Sequence, residues 1–439
     1  MSRTLKILLM TALIAPAFVL GACSDDDDKP PLPGERISVI ELQRDLQPDA
    51  PTADANAVLP PLPNAWQNDY WPQAGGYPNH VMQHPALGTS LKKVWSTSIG
   101  DGSRRALPLT AQPVVFDGRV YTIDTENFVQ ATDVKTGKSI WRTNTKPKGE
   151  DEDVIGGGVA FAGGKLYVIS GFNDLLVLDP ATGKIDKVVP LPSAARAAPT
   201  VIDDRVFVTT LDNRLLAFQA TDGAKLWEYQ GLSGDTGLVK QPSAGANRDI
   251  VVPVFSSGEV YALRVENGSV AWTENLSAVT QVGGIQSISA ISGMPVLDTG
   301  LVIAASYGGG LAAIDERTGQ KIWQREIGSA ETPWVAGDWL YVLSTNGEVV
   351  GLHKLTGMIA WVNPLPSKVD EEPVQYAGPV LAGGRLYIVN TLGHLLVLEP
   401  TTGKVLQTVE LGDPVKLAPV VAGNTLYILT EKGQLLAYR

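Results

Sequence analysis

The chain has 439 residues, a formal net charge of −11, 44% hydrophobic residues and only 18% charged ones. That balance excludes wholesale disorder, and an acidic chain is not built to neutralise phosphates, so no nucleic acid is expected as a partner. A single cysteine rules out internal disulfides, cysteine-rich zinc sites and CxxC redox chemistry together, while 45 Gly and 30 Pro without a collagen-like period point to many short strands joined by turns.

Residues 1–22 read MSRTLKILLMTALIAPAFVLGA, with Arg3 and Lys6 ahead of an apolar run at 7–20. The run is shorter than the roughly 20 residues of a membrane-spanning helix, so it reads as a signal peptide. Leu20-Gly21-Ala22-Cys23 resembles the bacterial lipobox, whose cysteine receives the lipid and becomes the new N-terminus; the alternative is an ordinary secretory signal ending near a cysteine. Acyl chains on Cys23 would give the multiple anchor that stable membrane attachment needs, and Ser24 resembles the residue that sorts lipoproteins to the outer membrane. Cleavage after residue 22 removes two cations and no acid, leaving the mature chain more acidic still. The four aspartates at 25–28 and the Pro-rich stretch 30–63 read as a solvated tether. Within it, ERISVIELQRDL (35–46) is either a short amphipathic docking segment or plain linker.

The remainder repeats. ATDVKTGKSIW (131–141) and AIDERTGQKIW (313–323) share the pattern A-x-D-x-x-T-G-x-x-x-W, with looser copies ending at Trp227, Trp272 and Trp361. Two further copies, at 177–187 and 397–407, put Lys187 and Gln407 in the tryptophan slot. Upstream of most copies stands a turn followed by an alternating strand, as in GGKLYVI (163–169) and GGRLYIV (383–389). The slots recur about every 45 residues, the length of a four-stranded propeller blade. Glycine in the turn supplies the left-handed backbone of a tight hairpin, and the preceding Asp or Asn can accept hydrogen bonds from the turn amides. The tryptophan falls on the outermost strand, where its ring can fill the gap between blades.

The last unit, 417–439, stops after three strands, and LKKVWSTSIG (91–100) is an orphan outer strand with Trp95 in the tryptophan slot. Pairing the two removes both free edges. The expected fold is therefore all-β: an eight-bladed propeller of four-stranded blades over 91–439, closed by an N-terminal strand on the C-terminal blade. It follows a signal peptide at 1–22 and a lipidated tether or extension at 23–90.

These repeats resemble the pyrroloquinoline-quinone-type propeller repeats, shared by quinoprotein dehydrogenases and by the BamB family of outer-membrane assembly lipoproteins. Lipobox, tether and eight blades are similar to the BamB family over nearly the whole chain. WPQAGGYPNH (71–80) and GDGSRRALPLTAQPVV (100–115) resemble its alphaproteobacterial members. The resemblance implies a non-catalytic, cofactor-free scaffold, lipid-anchored to the outer membrane and facing the periplasm. Its partners would be the POTRA domains of BamA and nascent outer-membrane β-barrel proteins. Family members carry a Leu-x-Leu-Arg stretch associated with BamA docking. It corresponds here to Gly237-Leu238-Val239-Lys240, making Leu238, Val239 and Lys240 the candidate partner-binding residues. A second Asp-x-Asp stretch corresponds to Ala290-Ile291-Ser292 and has neither aspartate.

Two alternatives remain, a quinone-dependent dehydrogenase and a generic periplasmic ligand-binding propeller. Alcohol-oxidising quinoproteins carry a vicinal disulfide that one cysteine cannot form, although glucose-oxidising chemistry would not need it. Asp133, Asp179 and Asp315 occupy turn slots where capping suffices. His80 and His84 have metal-ligand spacing only if helical, and Pro78 and Pro85 flank them; His353 and His394 lie in repeat strands. No catalytic or metal-binding residue is expected.

Overall fold

The computed structural model describes residues 46–49, 60–232, 240–276 and 290–439; Cys23, Leu238 and Val239 lie outside them. The described residues contain strands and turns and no helix. Eight four-stranded antiparallel sheets follow one another along the chain. Blades 1 to 7 span 114–144, 158–190, 200–230, 245–275, 296–325, 334–364 and 376–410. Blade 8 combines the three strands of 420–438 with Lys93–Ser98 as its outer strand. Trp95 pairs with Ala437 and Ser98 with Gln434, and Lys92 and Arg439 exchange backbone hydrogen bonds of 2.7 and 2.9 Å beyond them.

Burial follows strand position. The middle strands are sandwiched between neighbouring sheets and read as unbroken apolar runs, such as LYVI and LLVL in blade 2. The outer strands alternate, as in Ser139–Asn144, because one face looks at solvent. A small hairpin, Lys368–Val369 with Glu372–Pro373, stands outside the blades.

The Asp-Thr-Gly turns form as their chemistry dictates. The Asp133 carboxylate accepts from the Thr136 amide (2.8 Å) and hydroxyl (2.7 Å), and Gly137 closes the turn at φ 69°. Asp179 with Thr182 and Asp315 with Thr318 repeat it. Threonine hydroxyl and amide hydrogen bonds hold all three carboxyls below the usual range.

Each slot tryptophan then docks on the turn glycine of the next blade. A Cβ placed on Gly137 would lie 2.8 Å from the Trp95 ring; Gly183 stands likewise to Trp141, Gly268 to Trp227, Gly319 to Trp272, Gly357 to Trp323 and Gly403 to Trp361. Every indole N–H donates to a backbone carbonyl of that same turn, at 2.7 to 3.1 Å. The glycines are thus needed for contact as well as for φ. Lys187 reaches the corresponding turn by donating to the Asp222 carbonyl. Gln407 has no such turn ahead of it, because blade 8 is where the two chain ends meet.

Residues 46–49 and 60–63, expected in a solvated tether, are bound to the propeller. Asp49 pairs with Arg325 and brackets Ile359, the Pro60 carbonyl accepts from Trp339 Nε1, and His84 Nδ1 meets the Pro63 carbonyl at 2.6 Å. The next residues form a strap around the inner hairpins of all eight blades. Asn68 bonds Val421 and Gly423 of blade 8. Trp71 exchanges two 2.8 Å backbone bonds with Val115 of blade 1, and Pro72 accepts from Phe161 of blade 2. The Gln73 amide holds both backbone groups of Val201 in blade 3. Pro78 reaches Ala246 of blade 4 and Asn79 reaches Leu297 of blade 5. Gln83 serves Trp334 and Gly337 of blade 6, while His84 and Pro85 serve Gly384 and Gly383 of blade 7.

Candidate functional site

In an antiparallel blade the first and third turns share one face, and the second turn and the link to the next blade share the other. The strap covers the first face at the axis, so the candidate surface is the second. There the starts of the inner strands surround a cavity of about 70 Å³. Trp71, Gly75 and His80 of the strap form its floor, together with Met294 and Trp334. Trp71 is fully buried and stacks on Trp334, ring centroids 6.2 Å apart. Its Nε1 finds no acceptor among the described residues. Arg196, Lys240 and Glu331 are the charged groups of the wall.

The cavity shares Thr110, Lys240, Glu331 and Leu417 with a groove running outward past Tyr307, Leu343 and Tyr376. Lys240, expected as a docking cation, is part-buried and donates to Glu331 Oε1 at 3.1 Å, joining the entry of blade 4 to that of blade 6. Ala290, Ile291 and Ser292 are buried, with the Ser292 hydroxyl donating to the Ala330 carbonyl at 2.8 Å. The stretch standing for Asp-x-Asp is therefore wall, not exposed recognition surface.

The histidines at 80 and 84 do not converge on a common point. The buried His80 ring donates from Nδ1 to the Pro295 carbonyl at 2.6 Å, and burial lowers its pKa to about 4. His84 donates from Nδ1 and accepts the Gly384 amide at Nε2 (2.7 Å), which fixes its tautomer. Among the described residues no group of three His, Cys, Asp or Glu side chains could hold a metal ion. The slot tryptophans 95, 141, 227, 272, 323 and 361 lie at blade junctions, away from the cavity wall.

Nothing in the sequence repeats along the strap, so it is not legible there as an element. One signal was available: residues 70–91 contain no Asp, Glu, Lys or Arg, unlike a solvated tether.

A family model described as outer membrane protein assembly factor BamB matches residues 125–363 and 367–439, most of the propeller. The chain belongs to the BamB family. The outer membrane protein assembly factor BamB of Yersinia pestis is 28% identical over 356 residues, covering 80% of this chain and 89% of that protein. The crystal structure of BamB from Moraxella catarrhalis superposes with a TM-score of 0.67 at 22% identity, covering 80% of this chain and all of the other. A quinohemoprotein alcohol dehydrogenase from Pseudomonas putida gives the same TM-score at 14% identity, over 85% and 80% of the two chains. At these identities the structural likenesses establish the propeller fold alone.

Proposed function

We propose that the chain is a non-catalytic assembly factor of the outer membrane, tethered through lipid on Cys23 and facing the periplasm. In this reading it docks on the POTRA domains of BamA and assists insertion of nascent β-barrel proteins. The carrying observation is the family match across blades 1 to 8. A rigid ring with one strapped face suits a scaffold, since a partner can bind the other face without the blades rearranging. The docking surface proposed is that open face around Lys240, preceded in sequence by Leu238 and Val239. Exposed edges of outer strands would offer an unfolded barrel chain backbone pairing. The dehydrogenase reading has against it the single cysteine, placed at the lipid site.

The test is capture by immobilised BamA periplasmic domains. Wild type is expected to bind, Lys240→Glu to bind more weakly, and Lys404→Glu, in an ordinary repeat turn, to bind as wild type. Equal binding by both variants would remove the proposed face. Stoichiometric pyrroloquinoline quinone in the purified protein, or calcium-dependent dye reduction with alcohols or sugars, would overturn the scaffold reading.

A further inference from the structure

The central cavity is a cup, not a channel. The strap bonds the inner hairpin of every blade at one end of the axis and supplies the floor, so a chain entering from the open face cannot thread through. What enters must end there. The groove over blades 5 to 8 leads to the cup and shares four wall residues with it, which gives an extended polypeptide a path to the cavity.

The chemistry of the cup selects which end. Its charged lining is two cations and one carboxylate in a chain whose net charge is −11. The carboxylate, Glu331, is already engaged by Lys240, and the Arg196 guanidinium has no carboxylate partner among the described residues. An ammonium terminus would meet an uncompensated cation; a carboxylate would be paired by it. The floor is apolar, built by Trp71, Trp334 and Met294.

We propose that this cup binds the carboxyl terminus of a polypeptide, with the last side chain apolar and seated on Trp71, Trp334 and Met294. The terminal carboxylate is held beside Arg196. The proposal rests on the reading that this protein handles unfolded polypeptides, and it adds which part of such a chain the propeller receives.

The experiment uses the purified full chain and a labelled Gly/Ser decapeptide ending in leucine, as the free acid and as the C-terminal amide. N-acetyl-leucine serves as a competitor. The acid peptide is expected to bind at least tenfold more tightly than the amide, and Arg196→Gln to erase that difference. Arg196 lies on the cavity wall, and the comparison of acid with amide on the wild-type chain keeps the test decisive if Arg196→Gln fails to fold. Equal binding of acid and amide, or no binding of either, overturns the proposal. Competition by N-acetyl-leucine as tight as the peptide overturns the chain-end reading and leaves a site for small acids. BamA capture is scored separately on the wild-type chain, so absence of capture with acid-selective peptide binding would count against the docking proposal and not against the cup.

Discussion

The Trp95 indole lies flat on Gly137, and its Nε1 donates to the Val134 carbonyl at 3.1 Å. The strand that closes the ring therefore carries the same staple that joins blades inside it. Gly118, in the neighbouring turn, is a matched control: both glycines have φ 69°, but a Cβ on Gly118 would meet nothing within 4 Å. Gly118→Ala should cost only the left-handed strain, about 1–2 kcal/mol. Gly137→Ala should cost clearly more, because the indole must also move. Trp95→Ala should approach the ~3–5 kcal/mol of a buried aromatic without exceeding it, since the ring is half-buried. Urea denaturation of the three variants checks this, and equal losses at the two glycines would refute the staple.

The ring was readable because blade chemistry is local. Turn glycine, Asp-Thr cap and tryptophan fall within eleven residues of one another, as in 131–141, and repeat. Closure was readable because one strand was surplus at one end and one missing at the other. What stayed hidden joins residues far apart in sequence: Asn68 bonds Val421, and Lys240 pairs with Glu331. Nothing periodic announces such contacts, and a one-off strap repeats nothing that could be compared. The exceptional Gln407 was visible, but its cause, an outer strand facing the meeting point of the chain ends, needed the ring to be drawn.

Lipidation is tested by Cys23→Ser. Because a thiol is the acceptor, this variant should accumulate as an unprocessed precursor without lipid, read by intact mass and membrane fractionation. An unchanged mature mass with membrane attachment would refute the address.

Gln73 fixes the strap to blade 3 through both backbone groups of Val201, at 2.7 and 2.8 Å, and is buried. Gln73→Ala leaves a donor and an acceptor unsatisfied, each costing about 1–3 kcal/mol when buried. The expected signature is faster amide exchange at Val201, with the amide of Val206, in the second strand of blade 3, remaining protected. Unchanged exchange at Val201 would show that the strap does not depend on this bond.

Lys354 and Asp298 form a buried ion pair between blades 6 and 5, Nζ to Oδ2 at 2.5 Å, with Gln83 of the strap on the other carboxylate oxygen at 3.2 Å. Side-chain exposures of 4% and 8% leave neither charge to solvent. Lys354→Met should therefore lose about 3–5 kcal/mol by stranding the carboxylate, whereas Lys354→Met with Asp298→Leu should recover much of it. Thermal unfolding of single and double variants decides. A double variant as unstable as the single would mean that the pair matters for more than mutual neutralisation.

His80 makes stability depend on pH with a definite sign. Folding lowers its pKa from 6.5 to about 4, since burial disfavours the imidazolium, partly opposed by the hydrogen bond to Pro295. Between those values the unfolded chain binds the extra proton, so stability falls as pH falls and is fully present only above 6.5. The loss should reach roughly 3 kcal/mol near pH 4, at about 1.4 kcal/mol per unit. The depressed turn carboxyls Asp133, Asp179 and Asp315 act only at the acid end of this window. His80→Asn isolates the ring: asparagine tolerates the left-handed backbone that His80 adopts at φ 59°, but it does not titrate. Urea midpoints taken at pH 7.5, 6.5, 5.5 and 4.5 should decline in wild type and stay nearly level in the variant down to pH 5. Parallel declines would assign the pH dependence to other groups and remove His80 from it.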